Sequence, residues 1–310
     1  MTGRCPLTYE PCEERYSVAG LRRLSPRLTH LEPLSFTTQE LLHEAAARVQ
    51  KMSIGGIQPK VSAVLRVSQG RFELVDTGGR YILKPQNPLF PEIPENEDLT
   101  MRLAAAAGVA VPLHGLVYTH EEALCYFIQR FDRVGRGEKR AVEDFAQLMG
   151  LSRETKYESS MERIAKVLDD FCTFPAVERV EFFRRTLVTF LTGNEDMHVK
   201  NFSILTEADG TRRLSPAYDL VNSSIALRNP QEELALPLRG KRARLTRADL
   251  VDFFGNGRLQ LTDKSIERVL LDLSRAQPVW DELIDASFLS AEMKGRYTAL
   301  LAERRRVLGL

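Results

Sequence analysis

The densest group of chemically capable residues lies in the stretch 193–201, which reads Gly-Asn-Glu-Asp-Met-His-Val-Lys-Asn and directly follows an apolar segment. Asp196 and Asn201 are five residues apart, the interval between the aspartate and the asparagine of the protein-kinase catalytic loop. In that loop the aspartate accepts the proton of the substrate hydroxyl and the asparagine binds magnesium. A polar run after an apolar helix is equally typical of an ordinary solvent loop, so this spacing needs support from the rest of the chain.

A second acidic residue follows at a kinase-like distance. Asp219 lies eighteen residues beyond Asn201, and we expect it directly after a short strand over 214–218. Magnesium prefers oxygen ligands and takes one or two of them from the protein. Asn201 and Asp219 are therefore the predicted metal ligands. His198 follows Asp196, whereas kinases place their histidine before the aspartate, so we expect His198 to orient the loop and to line the nucleotide site rather than to carry protons.

A lysine and a glutamate upstream complete a possible phosphate site. Lys84 ends a predicted strand over 80–84, where kinases place the lysine that binds the α- and β-phosphates. Glu97 follows thirteen residues later, in the first turn of a helix predicted over 96–107, and is placed to pair with that lysine. Acidic residues at a helix start also complement the helix dipole, and most lysines at strand ends are simply exposed. Both interpretations are compatible with the sequence.

A glycine pair precedes the first strand. Gly55 and Gly56 lie within the segment 53–60, Ser-Ile-Gly-Gly-Ile-Gln-Pro-Lys, and paired glycines let backbone N–H groups approach an anion closely. The segment is neither a Walker A loop nor G-x-G-x-x-G, and taken alone it is typical of a plain turn. The residues of this segment that we predict to contact ATP are Gly55, Gly56, Ile57, Gln58 and Lys60.

The predicted elements place these residues in kinase order. A T-x-x-E capping box at 37–40 opens a short helix. Alternating residues predict strands over 61–67 and 71–75, and further strand-like runs follow at 80–84, 113–118 and 123–131. Gly108 caps the helix predicted over 96–107. After 132 the pattern changes to helices, with the clearest over 161–171 and 175–191. We therefore predict an α+β, two-lobed, protein-kinase-like fold. Residues 1–132 would form a small mixed N-lobe, residues 133–310 a mainly helical C-lobe, and ATP would bind between them.

Composition limits the other classes of function. The chain has 310 residues, which is too long for a single small module. Its 43 Lys+Arg and 42 Asp+Glu give a net charge of +1, so the protein as a whole has no strong positive potential to attract the phosphate backbone of a nucleic acid. The four cysteines form no C-x-x-C pair, which favours neither a zinc site nor a disulfide framework. No secretory h-region or long apolar run occurs. We expect no membrane partner and a reducing, cytoplasmic location, with delivery elsewhere left open.

The motifs also resemble a known family. The segments SIGGIQPK, ILKP, ENE, QRFDR, EDFAQ, GNEDMHVKNFS and PAYDL resemble those of the HipA-like serine/threonine kinases, which are toxins of bacterial toxin–antitoxin systems, over residues of about 50–225. The resemblance implies ATP and Mg²⁺ as cofactors and a protein hydroxyl as acceptor. The roles it implies are the catalytic base for Asp196, the metal ligands for Asn201 and Asp219, the phosphate anchor for Lys84, the adenine-binding hinge strand for Phe127, Ile128 and Gln129, and autophosphorylation for Ser53.

Within the family, the short N-terminal region resembles the compact HipT-type kinases, whose missing subdomain is the separate protein HipS. Those kinases carry a second loop serine where this chain has Gly55. The resemblance implies an aminoacyl-tRNA synthetase as the protein substrate, HipS-like and HipB-like antitoxin partners, and contact with DNA only through an antitoxin. A phosphate on Ser53 would add about −1.5 to −2 charges near the triphosphate, so autophosphorylation is expected to switch nucleotide binding off.

Two other classes of function remain open from the sequence. One is a non-catalytic kinase-like module within an antitoxin and DNA complex, and the other is a small-molecule kinase of the aminoglycoside or lipid type. Basic runs at 239–244 and 304–306 are typical of a solvated loop and of a helix end, with an acidic partner or DNA as the alternative.

Overall fold

The chain forms two compact units. The structure, a computed structural model, describes residues 3–48, 58–135, 138–152, 154–227 and 230–310. The first unit comprises Met1–Leu99, Pro112–Arg133 and Asp285–Ser290, and the second comprises Thr100–Val111, Val134–Ile284 and Ala291–Leu310. No helix in the described ranges is both long enough and apolar enough to cross a membrane. The division of lobes between 132 and 133 stays a prediction.

Two short strands and two helices open the first unit. They are β1 (Gly3–Arg4), β2 (Pro11–Cys12), α1 (Val18–Leu24) and α2 (Thr38–Arg48). At the start of α2 the Glu40 N–H donates to Thr37 Oγ1 at 3.2 Å, and the Thr37 N–H donates to the Glu40 carboxylate at 2.8 Å. This reciprocal pair is the capping box that the T-x-x-E spacing predicted.

A five-stranded antiparallel sheet forms the centre of the first unit. Its strands are β3 (Val61–Arg66), β4 (Arg71–Leu74), β5 (Tyr81–Lys84), β6 (His114–Tyr118) and β7 (Leu124–Gln129), in the order β4-β3-β5-β7-β6. Buried residues of the sheet such as Leu83 and Phe127 pack with Leu21 and Leu41 of the helices in one core. The five predicted strands are confirmed, because alternating apolar residues place one face of each strand in this core.

Helix α3 (Ile93–Ala106) lies between β5 and β6 in sequence and begins earlier than predicted. Pro94 suits the first turn of a helix because its φ is already near the helical value. Glu95 is therefore in the first turn. Glu97, the fifth residue of the helix, begins the second turn, which corrects the expectation for Glu97. The helix ends as predicted before Gly108, whose φ of +82° is favourable for glycine.

Beyond β7 the chain is mainly helical. The elements are β8 (Arg133–Val134), β9 (Glu138–Lys139), β10 (Ala141–Asp144), α4 (Phe145–Leu148), α5 (Met161–Phe171), α6 (Pro175–Leu191), β11 (Ser203–Thr206), β12 (Arg212–Leu214), α7 (Ser223–Ala226), a π-helix (Ala248–Arg258), α8 (Asp263–Ala286) and α9 (Ala291–Leu308). Strands β10, β11 and β12 form a small antiparallel sheet. The predicted helices over 161–171 and 175–191 are confirmed, because their apolar stripes are buried in this unit.

The predicted strand over 214–218 is wrong in its extent. Strand β12 ends at Leu214, and Pro216 cannot donate a ladder hydrogen bond. The chain then continues irregularly to Asp219, which has a φ of +54°. Asp219 therefore belongs to a tight loop and does not directly follow a strand.

Candidate catalytic site

The loop between α6 and β11 is held by its own short hydrogen bonds. The His198 N–H donates to the Asp196 carbonyl at 2.8 Å, and the Asn201 N–H donates to the His198 carbonyl at 2.9 Å. The Asn201 side-chain nitrogen also donates to the Asp196 carbonyl at 3.0 Å. Met197 and Val199 are buried, whereas Asp196 is exposed. The loop thus presents a carboxylate to solvent from a backbone anchored in the core.

Asn194 joins this loop to the loop that carries Asp219. Its side-chain oxygen accepts from the Asp196 N–H at 3.1 Å, and its side-chain nitrogen donates to the Asp219 carbonyl at 3.3 Å. Asn194 is fully buried, so the two bonds are shielded from competing water. One side chain therefore fixes the backbone at both acidic residues. Sequence reasoning missed this role. The only hint in the sequence was that Asn194 lies two residues before Asp196.

The irregular segment before Asp219 is fixed from two sides. The Tyr218 hydroxyl donates to the Lys200 carbonyl at 3.1 Å and lies 2.5 Å from Ser203 Oγ. Burial raises the pKa of Tyr218, so it remains a neutral donor. Buried Arg185 donates to the Ser215 carbonyl at 2.7 Å. The segment is thus held by these side chains and by backbone hydrogen bonds from the Ser215 N–H to the Ser203 carbonyl at 2.8 Å and from the Ala217 N–H to the Ala110 carbonyl at 2.7 Å.

The donor chemistry of the loop fits magnesium. Asn201 uses its nitrogen on the Asp196 carbonyl, which leaves the amide oxygen as its free coordinating end, and Asp219 supplies a carboxylate. No cluster of three His, Cys, Asp or Glu side chains suited to a metal occurs among the described residues. One amide and one carboxylate suffice for magnesium bound with a nucleotide, because phosphates and water complete its shell.

His198 is a buried imidazole with one nitrogen in use. Its Nε2 lies 2.7 Å from Lys156 Nζ, and because an ammonium group only donates, Nε2 must accept and Nδ1 must carry the hydrogen. Burial lowers the pKa of His198. Within the described part of the chain, Nδ1 has no hydrogen-bond partner. A buried donor of this kind is unfavourable by about 1–3 kcal/mol and is suited to an anionic ligand.

Tyr157 contacts the exposed carboxylate directly. Its hydroxyl donates a short hydrogen bond to Asp196 Oδ1, and its ring meets the His198 ring edge to face, with 5.2 Å between centroids. Lys156 Nζ lies 4.8 Å from the centroid of the Tyr157 ring. Nothing in the sequence signalled this contact, because Tyr157 precedes Asp196 by 39 residues.

The first unit contains a buried ion pair at the predicted lysine. Lys84 Nζ lies 2.6 Å from the Glu97 carboxylate, and the two residues are 2% and 1% exposed. Beside them, His114 Nδ1 lies 2.7 Å from the buried Asp98 carboxylate. No local sequence pattern indicates that Asp98 is the partner of His114. The phosphate-binding role of Lys84 stays a prediction.

The remaining predicted nucleotide contacts are scattered over the first unit. Phe127 and Ile128 are buried in β7, and the Gln129 N–H donates to the Leu113 carbonyl at 2.7 Å. Lys60 is largely buried, and Gln58 is half-buried. Four predicted positions lie outside the described residues, namely Ser53, Gly55, Gly56 and Ile57. The autophosphorylation of Ser53 and the nucleotide-binding roles of the other residues stay predictions.

The two basic runs pair with acidic residues inside the second unit. Arg239 and Lys241 lie 3.5 and 2.9 Å from the Asp249 carboxylate. Arg304 lies 2.7 Å from Glu233. These three charges therefore have acidic partners within the unit itself.

Comparisons with known proteins agree on one family. A family model described as the HipA-like C-terminal domain matches residues 52–280. A Haemophilus influenzae protein with a provisional kinase name is 32% identical over 232 residues, which cover 71% of this chain and 66% of that protein. The serine/threonine-protein kinase toxin HipA of Shewanella oneidensis is 29% identical, over 56% of this chain and 43% of the toxin. The chain thus spans about two thirds or less of the length of these relatives.

Solved structures show the same fold. HipA from the Shewanella oneidensis complex of HipA, HipB and operator DNA matches with a TM-score of 0.70 and 23% identity, over 91% of this chain and 74% of that one. The Helicobacter pylori proinflammatory kinase CtkA matches with a TM-score of 0.53 and 18% identity, over 73% and 86%. The predicted α+β kinase-like fold is confirmed, and the nearer resemblance to HipT-type kinases stays a prediction. The chain belongs to the family of HipA-like C-terminal domains, whose relatives bear the names of kinases.

Proposed function

We propose that this chain is a serine/threonine protein kinase that uses ATP and magnesium, with Asp196 as the catalytic base. The observation that carries the proposal is the pair of hydrogen bonds between the Asn194 side chain and the backbones of Asp196 and Asp219. They hold the candidate base and a candidate metal ligand in one preorganised arrangement. Preorganisation and charge neutralisation supply most of the catalysis in phosphoryl transfer.

In the proposed reaction the acceptor hydroxyl gives its proton to the Asp196 carboxylate while its oxygen forms a bond to the γ-phosphorus. The bond between the γ-phosphorus and the bridging oxygen breaks, and ADP leaves. Asn201 and Asp219 would hold magnesium, which neutralises phosphate charge when bound. Lys84, oriented by Glu97 at 2.6 Å, binds phosphate oxygens, and the Nδ1 hydrogen of His198 supplies a further donor.

We further propose the family-level details. The protein substrate is an aminoacyl-tRNA synthetase, and Ser53 is an autophosphorylation site whose phosphate opposes nucleotide binding. The antitoxin partners are HipB-like and HipS-like. The HipB partnership is supported by a fold neighbour that was solved together with HipB and operator DNA. A cytoplasmic location is supported by the four cysteines, all of which are free, as is usual in a reducing compartment.

The deciding experiment compares the wild type with Asp196→Asn in transfer from labelled ATP to cell-extract proteins. The substitution removes the proton acceptor from an exposed side chain, so we expect transfer to fall at least about 100-fold while the melting temperature is unchanged. Asp209→Asn, at an exposed turn of the same unit, is the matched control and should transfer normally. A fully active Asp196→Asn protein would falsify the assignment.

Phosphopeptide mass spectrometry of the same samples identifies the acceptor. Label on serine or threonine of an aminoacyl-tRNA synthetase and on Ser53 is the expected result. Label that appears only on metabolites would instead indicate a small-molecule kinase. Absence of any transfer would indicate a non-catalytic module.

A further inference from the structure

The Tyr157 hydroxyl lies where a phosphoacceptor would have to bind. It donates to Asp196 Oδ1. Under the proposed function, the Asp196 carboxylate takes the proton of the acceptor hydroxyl. A serine or threonine acceptor presents the same kind of group, an O–H donor directed at this carboxylate. We propose that Tyr157 is a built-in competitor of the acceptor, so that a substrate hydroxyl must displace the tyrosine hydroxyl before transfer. This inference rests on the proposed function.

Tyr157 is a permanent donor in this contact. Burial, followed by the hydrogen bond to Asp196, raises the pKa of its phenol. The hydroxyl therefore stays protonated at neutral pH. Competition with the acceptor should accordingly depend on acceptor concentration and not on titration of the tyrosine.

The turn 154–158 that carries Tyr157 is held largely by hydrogen bonds that are exposed to solvent. The Glu158 N–H donates to the Thr155 carbonyl at 2.8 Å, and Arg242 donates to the Tyr157 carbonyl at 3.3 Å. The Tyr157 side chain is 36% exposed. Segments with few buried contacts open at low free energy, so the hydroxyl can leave Asp196 without unfolding the unit.

Lys156 stabilises the position of the turn in which the Tyr157 hydroxyl bonds Asp196. Its ammonium group bonds His198 Nε2 at 2.7 Å and also lies 4.8 Å from the Tyr157 ring centroid. The tyrosine ring thereby packs against both Lys156 and the His198 ring of the catalytic loop. The same two side chains that order the loop thus direct the hydroxyl at the carboxylate.

The arrangement predicts which kinetic constant Tyr157 controls. A group that competes only with the acceptor raises the acceptor KM and leaves kcat unchanged at saturation. A hydrogen bond to a charged group, discounted for its exposure, corresponds to roughly a three- to tenfold change. The KM for ATP should stay the same.

The test uses Tyr157→Phe, which removes the hydroxyl and keeps the ring. The probe is an equimolar library of serine-containing peptides, with ADP formation and peptide phosphorylation as readouts. We expect the acceptor KM to fall three- to tenfold, with kcat and the ATP KM unchanged. An unchanged acceptor KM, or a lower kcat at constant KM, overturns the proposal, because Tyr157 would then only orient Asp196.

Two further variants separate the hydroxyl from the ring. Tyr118→Phe, a half-buried tyrosine outside the site, is the matched control and should leave all constants unchanged. Tyr157→Ala should lower the acceptor KM at least as far as Tyr157→Phe. A rise in acceptor KM for Tyr157→Ala contradicts the proposal, because the ring would then be part of the acceptor site.

Asp196→Asn, made alone and together with Tyr157→Phe, separates this inference from the proposed function. If both Asp196→Asn proteins are inactive and Tyr157→Phe behaves as expected, both proposals are supported. If Asp196→Asn is inactive but Tyr157→Phe leaves the acceptor KM unchanged, the competitor role alone fails. Full transfer by Asp196→Asn, or no transfer by any variant, contradicts the proposed function and the inference with it.

Discussion

Among single residues, the buried pair of Lys84 and Glu97 combines a structural and a proposed catalytic role. Both side chains are almost inaccessible to solvent, so each charge depends on protein partners for its stabilisation. The sequence predicted this pair from an interval of thirteen residues, because the strand end and the next helix are close in the chain. It did not reveal the neighbouring pair of Asp98 and His114.

Lys84→Met should lower the free energy of unfolding by about 3–5 kcal/mol, because it removes the cation from a buried carboxylate. Replacing both partners, as Lys84→Met with Glu97→Leu, should restore most of that loss and leave phosphate transfer abolished. Urea unfolding and transfer from labelled ATP measure the two effects.

The exposed pair of Lys166 and Asp170 on α5, 3.1 Å apart, is the matched control for this prediction. Its double replacement by Met and Leu should change the free energy of unfolding by less than about 1 kcal/mol. An equally small effect of Lys84→Met would show that the buried pair does not stabilise the fold.

At the scale of elements, the first turn of α3 carries a glutamate with an unusual proton affinity. Burial raises the pKa of Glu95 to about 7, and two hydrogen bonds of 2.8 Å from Gln86 to its carboxylate oppose that shift. The sequence predicted an acidic helix start but placed it at 96. It could not reveal burial, because that depends on what packs over the helix end.

Glu95 should make the fold less stable as the pH rises from about 4.5 to about 7, because the unfolded chain releases this proton at lower pH than the folded chain does. Above that range the loss is complete, and it amounts to at most about 3 kcal/mol. Glu95→Gln should therefore gain stability relative to the wild type between those limits. Urea unfolding of both proteins from pH 5 to pH 8, in steps of about 0.5 pH unit, measures the difference in their free energies of unfolding.

Glu121→Gln is the contrasting variant for this pH series. Hydrogen bonds from Thr38 lower the pKa of Glu121, so its contribution is present at high pH and lost as the pH falls. This change falls below about pH 4.5, so the stability difference between Glu121→Gln and the wild type should stay constant from pH 5 to pH 8, whereas that of Glu95→Gln changes. If Glu95→Gln tracks the wild type at every pH, the burial of Glu95 does not control its proton.

At the scale of the whole molecule, the second unit is assembled from segments that are distant in sequence. The Trp280 ring nitrogen on α8 donates to the Leu103 carbonyl on α3 at 2.8 Å. On α9, the Tyr297 hydroxyl lies 2.9 Å from Thr100 Oγ1, again on α3. These buried polar contacts tie the terminal helices to the second half of α3.

Tyr297→Phe should lower the free energy of unfolding of this unit by about 1–3 kcal/mol, because it leaves a buried polar group without this partner. The chain has a single tryptophan, Trp280, which lies in the same unit and is fully buried. Its fluorescence during urea unfolding therefore reports the change. Tyr118→Phe, at a half-buried tyrosine, should stay within about 0.5 kcal/mol of the wild type, and equal effects of the two variants would contradict the prediction.

The sequence by itself determined the features that depend on neighbours in the chain. The capping box at Thr37, the alternation in the five strands and the interval from Asp196 to Asn201 are all short-range, so their physical causes can be seen in a few consecutive residues. The predicted extents of α3 and β12 were wrong by a few residues, because Pro94 favours an earlier helix start and Pro216 prevents the strand from continuing.

Only the tertiary structure decided which distant residues meet the catalytic loop. Asn194 reaches the Asp219 carbonyl across 25 residues, and Tyr157 reaches Asp196 across 39. Such contacts depend on how the helices pack and where the turns between them direct the chain. Local sequence propensities do not specify which distant residues come into contact. The order of the kinase motifs therefore follows from the sequence, whereas the hydroxyl on Asp196 and the bridge at Asn194 follow from packing.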